Sequence, residues 1–230
     1  MKPKLSPVAA SGPTAPKKVF IVEDHPVFRE GLVQIINSEC DLTVCGEAED
    51  AEHALKAIPS LKPDLVLVDI TLPGKSGLEL IKDLRARNGG VKLLVLSMHA
   101  EALYADRVLR AGGDGYIMKQ EDPEEVVHAI RDVLGGHIYV SEQVMAGGKK
   151  GAQVRGSQPK SRPLGQLTDV ELEVLELLGE GKTNLEIARQ LHLRPGTARA
   201  HCAEIRRKLD LRSTNALIRY AVCWVEGGKA

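Results

Sequence analysis

Over the first 134 residues, short apolar runs alternate with stretches in which apolar residues recur every three or four positions. Val19-Phe20-Ile21-Val22, Leu42 to Ala48, Leu65-Val66-Leu67-Val68, Val91 to Leu96 and Gly115-Tyr116-Ile117-Met118 read as strands. Pro26 opens a helix to about Ser38, because proline suits a first helical turn. Asp50 caps a second helix to about Ile58. Ser76-Gly77-Leu78-Glu79 has capping-box spacing and starts a third. A fourth covers about Glu101 to Ala111 and stops at Gly112-Gly113. Asp122-Pro123-Glu124-Glu125 combines a cap, a first-turn proline and acids suited to the helix dipole, and starts a fifth, to Leu134. Five strands alternating with five helices predict an α/β fold, a doubly wound five-stranded parallel sheet with helices on both faces.

The pattern then changes. Gly147 to Pro163 is polar and rich in Gly, Lys, Ser and Pro, which reads as a flexible linker; Ile138 to Met145 before it suggests a short helical extension. Beyond it every period is helical. Thr168-x-x-Glu171 and Thr183-x-x-Glu186 are capping boxes opening helices to about Leu178 and to Leu191. A tight His192-Leu193 turn leads to a basic helix from Pro195 to about Leu209, and Ser213 caps a last helix to about Val225. Two short helices, a tight turn and a basic helix predict a small all-α helix-turn-helix domain. The expected organisation is a disordered tail (1–16), an α/β domain (17–135), a linker (136–163) and the helical domain (164–230).

Composition sharpens this picture. Among 230 residues 43% are apolar and only 3% aromatic, so two cores built from aliphatic side chains are affordable. Net charge is zero overall but unevenly spread: Lys17 to Leu134 carries 14 basic against 21 acidic residues, Gly135 to Pro163 carries 5 against 1, and Leu164 to Ala230 carries 10 against 9. Cys40, Cys45, Cys202 and Cys223 form neither a CxxC pair nor a zinc pattern and read as free thiols of a reducing, cytoplasmic compartment. No stretch has the length of a membrane span or the apolar core of a signal peptide.

The chemistry lies at strand ends. Glu23 and Asp24, Asp69, Ser97 and Lys119 end the first, third, fourth and fifth predicted strands, at the carboxyl edge where open α/β sheets build their sites. Three clustered carboxylates repel and call for a cation, and hard oxygen ligands select Mg²⁺. A metal-bound carboxylate with one free oxygen is a nucleophile toward phosphorus, and an ammonium such as Lys119 balances the transferring phosphoryl group. Asp69 is therefore the expected phosphoryl acceptor. A phosphatase using an aspartate nucleophile needs a second acid two residues later; Thr71 stands there, so no enzyme is expected.

Val22-Glu23-Asp24-His25-Pro26, Pro63 to Asp69 with Pro73-Gly74 and Gly77, Leu96-Ser97-Met98-His99, and Arg110-Ala111-Gly112 with Gly115 to Lys119 make residues 18–135 resemble the receiver domain of two-component response regulators. The resemblance implies a sensor histidine kinase as phosphodonor and Mg²⁺ held by Asp24, Asp69 and the Thr71 carbonyl, with Glu23 assisting. It makes Ser97 and Tyr116 a switch pair, with Tyr116 turning inward on phosphorylation. Glu23 stands where Asp is commoner.

Leu167-Thr168, Glu171, Val174-Leu175, Gly181, Asn184, Ile187-Ala188, Leu191, Thr197, His201, Ile205, Lys208-Leu209 and Ser213 make residues 165–226 resemble the LuxR-type helix-turn-helix domain, and the whole chain a NarL/FixJ-type response regulator. Arg194 to Lys208 carries five basic residues against Glu204, an electrostatic footprint for double-stranded DNA. Arg199, Ala203 and Arg206 share a face with Ala200 beside it, while Ile205 and Leu209 point to the core. The resemblance places Arg199, Ala200 and Ala203 toward the major groove, and Lys182, Thr197 and Lys208 are expected phosphate contacts. Arg194 adds charge at the helix start, and His201 is expected packed or phosphate-facing. Arg194-Pro195-Gly196, Ala198 and Ala203 depart from the usual pattern, so small residues on the groove face predict few direct base contacts. Val170 and Leu172 stand where polar residues are usual, either packing on the receiver or exposed. The expected function is a phosphorylation-controlled transcriptional regulator. Its recognition helix would be masked by the receiver until phosphorylation frees it and favours a dimer through the last helix. The alternative is a phosphorylation-independent DNA binder with a vestigial receiver.

Overall fold

The structure is a computed structural model and describes residues 15–87, 90–99, 101–141 and 163–227. Residues 1–14 of the expected tail, most of the expected linker and residues 142–145 of the expected helical extension lie outside these residues; the described start of that extension, residues 138–141, is not helical. Strands β1 (Lys17–Val22), β2 (Leu42–Ala48), β3 (Leu65–Val68), β4 (Lys92–Ser97) and β5 (Gly115–Met118) form one parallel sheet in the order β2-β1-β3-β4-β5. Helices α1 (Pro26–Asn37), α2 (Ala51–Leu61), α3 (Gly77–Ala86), α4 (Glu101–Ala111) and α5 (Pro123–Leu134) connect them.

The period-2 alternation of the strands divides the core in two. Val19, Ile21, Leu65, Leu67, Leu94 and Leu96 face α1 and α5, where Ile36, Ala129 and Ile130 are fully buried. Phe20, Val22, Val66, Val68, Leu93 and Val95 face α2, α3 and α4, where Ala54, Ile81, Tyr104 and Val108 are buried. Both faces being covered explains why these strands read as continuous apolar runs.

Two sequence expectations shift. Helix α2 runs to Leu61 with Pro59 inside it, rather than stopping near Ile58. Proline deprives the Leu55 carbonyl of its helical donor, and the Arg87 guanidinium supplies one instead, at 3.2 Å. The connector expected from residue 136 begins as an ordered piece of the receiver. Tyr139 bridges to Gly115, and its carbonyl accepts from the Tyr116 amide at 2.7 Å, because β5 is otherwise an open edge.

A 3-10 turn (Pro163–Gln166) leads into α6 (Asp169–Gly179), α7 (Asn184–Gln190), α8 (Pro195–Lys208) and α9 (Thr214–Gly227). Thr168 and Thr183 cap α6 and α7 through complete capping boxes. Every residue of α6 from Glu171 to Leu178 is buried. A helix buried all round must be covered on two sides: α8 and α9 cover one, and the receiver covers the other. The α2–α4 core runs on through Leu167, Leu172 and Leu175 without a break. Leu172 therefore packs, as does the partly buried Val170. Among the described residues no helix is long and apolar enough to cross a membrane.

Candidate functional site

The sheet's register brings the strand ends together. Val22 pairs with Val68 and Ser97 with Met118, so Glu23, Asp69, Ser97 and Lys119 meet at one edge. Asp69 is held there by its neighbours. Its amide donates to the Val22 carbonyl at 2.9 Å, and the Thr71 amide donates to its Oδ1 at 3.2 Å. Gly77 permits the following loop to fold back. Its amide donates to the Ile70 carbonyl, and a Cβ there would lie 2.0 Å from the Asp69 carbonyl oxygen.

Lys119 Nζ lies 2.8 Å from Asp69 Oδ2 and 2.5 Å from Glu23 Oε2, and 4.8 Å from the centroid of the Phe28 ring. Burial alone would pull the ammonium down, but the Asp69 and Glu23 carboxylates reverse this and its pKa is raised. The Asp69 carboxyl is pushed up to about 6, chiefly by burial, with the Lys119 charge opposing and the Glu23 charge adding. Glu23, Asp24, His25 and Asp69 each offer a ligand atom within 4.8 Å of the others. Asp24 Oδ1 is buried without a hydrogen-bond partner, although His25 Nδ1 is 2.9 Å away. A buried carboxylate oxygen without a hydrogen-bond partner, beside three further ligand groups, is a group that a cation would satisfy. The residues fit a hard divalent ion.

Ser97 is fully buried, and its Oγ accepts from the His99 amide at 3.2 Å. Tyr116, expected to turn inward on phosphorylation, is already inside: its hydroxyl donates to the His99 carbonyl at 2.6 Å, and burial raises its pKa. A tyrosine hydroxyl that finds a buried acceptor has no reason to stay out.

The site extends into the second domain. His99 lies between Thr71 Oγ1, 3.0 Å from its Nε2, and Glu176 Oε2, 2.7 Å from its Nδ1, and its ring stacks on Tyr104. Burial lowers the imidazole's pKa, but the Glu176 carboxylate more than offsets this and the net shift is upward. Glu173, one turn earlier, is buried with Oε1 unpartnered, and burial raises it to about 8. Arg107 clamps the start of α6, donating to the Leu164 and Leu167 carbonyls and to Asp169 Oδ1 at 2.9 Å. His192, in the turn before α8, places Nε2 2.9 Å from Asp24 Oδ2. None of these contacts was foreseen. His25 and His99 stand inside the family motifs, but His192 and Asp24 are 168 residues apart and no spacing links them.

On the DNA-reading helix, Thr197, Arg199, Ala200 and Ala203 are exposed, Arg194 is exposed at its start, and His201 and Arg206 are half-buried. Lys182, Arg199, Ala203 and Arg206 line one hollow between α7, α8 and α9. Ile205 is core. Lys208, an expected phosphate contact, is paired within the domain in this structure. Its ammonium lies 2.6 Å from Glu171 Oε2, the acid of the α6 capping box, in an ion pair spanning the ends of two helices. Among the described residues the receiver meets the second domain at α6 and at the turn before α8, and the outward side chains of α8 stay exposed rather than covered.

An acidic, lysine-balanced strand-end pocket on a doubly wound sheet, joined to a basic helix-turn-helix, defines a switch domain coupled to a DNA reader. Comparison with known proteins agrees. Residues 19–131 match the family described as response regulator receiver domain, and residues 165–221 that described as bacterial regulatory proteins, luxR family. The chain is 32% identical to the nitrate/nitrite response regulator protein NarL of Escherichia coli over 86% of its own length and 91% of the relative's. It is 34% identical to the DNA-binding transcriptional activator DevR/DosR of Mycobacterium tuberculosis, over 87% and 92%. Among solved structures, RcsB of Salmonella enterica bound to the rprA promoter in the presence of the phosphomimetic BeF3⁻ matches with a TM-score of 0.60 and 26% identity, over 90% of this chain and 98% of that one. The chain belongs to the NarL/FixJ-type response regulators, a DNA-binding transcription regulator of a two-component system and not an enzyme.

Proposed function

We propose that Asp69 accepts a phosphoryl group from a sensor histidine kinase and that this event controls promoter binding by α8 in the cytoplasm. The observation that supports it best is the Asp69–Lys119–Glu23 constellation beside the orphaned Asp24 oxygen. Asp24, Asp69 and the Thr71 carbonyl, with Glu23 assisting, would hold Mg²⁺, which when bound supplies positive charge to the transferring phosphoryl oxygens. Burial raises the Asp69 carboxyl to about 6, and added positive charge in the pocket would favour its ionised, nucleophilic form further. The P–N bond of a phosphohistidine breaks as the Asp69 oxygen forms its bond to phosphorus. Lys119 balances the new charge, and Ser97 is placed to donate to a phosphoryl oxygen.

The new dianion arrives on a domain that α6 faces with the Glu176 carboxylate. Like-charge repulsion then loosens the α6 contact, and the freed domain pairs with a second copy through α9 on two DNA half-sites. Control works through the space around the helix rather than by covering it, since a duplex seated on the start of α8 would press against the acidic receiver edge at His192.

The test is labelling by acetyl phosphate followed by gel shift on the protein's own upstream region. The wild type is labelled and shifts DNA more tightly once labelled; Asp69→Asn takes no label. Label retained in Asp69→Asn would sink the assignment. The exposed groove face of α8 favours one second reading, phosphorylation-independent DNA binding, which predicts equal shifts with and without label.

A further inference from the structure

We propose that His192 and the pocket's divalent cation compete for Asp24, so that loading the pocket and docking the helix-turn-helix domain oppose each other; this rests on the reading of Asp24 as a cation ligand. His192 comes from the turn that aims the recognition helix, and its Nε2 is 2.9 Å from Asp24 Oδ2. Nε2 must carry the proton, because a carboxylate only accepts. The backbone is set for this contact: His192 adopts a left-handed conformation with φ 52, unusual for a non-glycine residue, and that turn delivers the ring to the receiver.

The docked turn takes what a cation needs. Asp24 has two oxygens. One accepts from His192 and the other is the orphaned one. The Asp24 side chain is left only 11% exposed. A Mg²⁺ ion keeps several waters and demands near-octahedral space around them, so it does not suit a carboxylate capped by a neighbouring domain. Of the other two acids, Asp69 is paired with Lys119 and Glu23 is shared between Lys119 and His25, which itself lies 2.9 Å from Asp24. Asp24 is thus the pocket ligand whose engagement depends on the position of the second domain. Coupling is reciprocal: docking weakens cation binding by the factor by which the cation weakens docking. Cation binding becomes a first step that loosens the effector domain before any phosphoryl group arrives.

Two measurements on the full-length chain test this. Mg²⁺ affinity is measured by titration calorimetry for the wild type, His192→Gly and Asp24→Asn. Glycine keeps the left-handed turn without strain, so the variant isolates the imidazole. The expected result is Mg²⁺ binding about fivefold tighter in His192→Gly than in the wild type, the low end of typical coupling between sites, and lost in Asp24→Asn. In the second, amide exchange in α6 and around residues 190–194 is followed with and without Mg²⁺. Protection should fall on adding Mg²⁺ to the wild type and should not respond in Asp24→Asn. Equal or weaker Mg²⁺ binding in His192→Gly overturns the competition while leaving the pocket reading intact. Absence of Mg²⁺ binding in both the wild type and His192→Gly overturns the pocket reading, and the competition with it.

Discussion

Lys119 is where the pocket's electrostatics are decided. Its side chain is 5% exposed and is the shared counter-charge of two carboxylates that are as deeply buried, Asp69 and Glu23. Removing one partner of a buried ion pair strands the other's charge, which costs about 3–5 kcal/mol. Lys119→Met should therefore lower stability by that order in denaturant titrations without divalent cations. Added Mg²⁺ should restore part of the loss, because it offers the carboxylates a second counter-charge. A variant as stable as the wild type would show that the carboxylates are not ionised together. Arg199 carries the residue-scale prediction for the other end of the molecule. It is exposed on α8 and lines the hollow with Lys182. Arg199→Ala should cost about 1–3 kcal/mol of binding and relax preference at one base position if it reads guanine. Lys182→Ala should weaken binding evenly across sequences and reduce the salt slope by about one. Equal losses on cognate and scrambled DNA would remove Arg199 from base reading.

At the scale of elements, most of the receiver was legible because its signals are local. Short apolar runs, capping residues and strand-end chemistry each act within a few positions, so the five strands and the strand-end group Glu23, Asp24, Asp69, Ser97 and Lys119 follow from the sequence. Pro59 misled because the compensating donor, Arg87, comes from the end of α3, 28 residues away in sequence. The Lys208 ion pair was hidden for a similar reason: its partner, the Glu171 carboxylate, belongs to another helix, 37 residues away in sequence. Gly77 lies between these cases. The sequence shows a glycine inside a capping-box motif, and the fold shows why no side chain fits, with the Asp69 carbonyl 2.0 Å from where a Cβ would stand. The obstacle is backbone, which cannot swing aside. Gly77→Ala should push the loop after β3 off Asp69, destabilise the receiver by about 1–3 kcal/mol as overpacking does, and reduce acetyl-phosphate labelling. Unchanged labelling in a folded variant would mean that the β3–α3 loop has slack that its hydrogen bonds do not suggest.

At the scale of the molecule, the two domains share one continuous apolar core, and the charged groups at their junction make its strength depend on pH. Glu173 faces His99, Asp69, Asp169 and Glu176, and burial raises its pKa from 4.5 to about 8. A carboxyl with a raised pKa in the docked form is most favourable to docking when protonated in both forms, below its ordinary value. Between that value and about 8 the undocked domain gives up its proton while the docked one holds it, so docking weakens as pH rises, by up to about tenfold per pH unit. His99 acts in the same direction. Its pKa is raised by Glu176 against the pull of burial, so its contribution is present below the ordinary histidine value and fades as pH climbs through the raised one. Neither group can cancel the other, and the docked fraction should fall as pH rises from the ordinary carboxyl value of 4.5 to about 8. Small-angle scattering should show the radius of gyration growing across that interval, with amide protection in α6 falling in parallel. Glu173→Gln removes the titrating carboxyl but keeps its shape. It should hold the domains together at pH 8 and flatten much of the profile, leaving the slope due to His99. A docked fraction that rises with pH, or a Glu173→Gln profile identical to the wild type, would show that Glu173 does not sit uncharged at the junction and that the contact is held by packing alone.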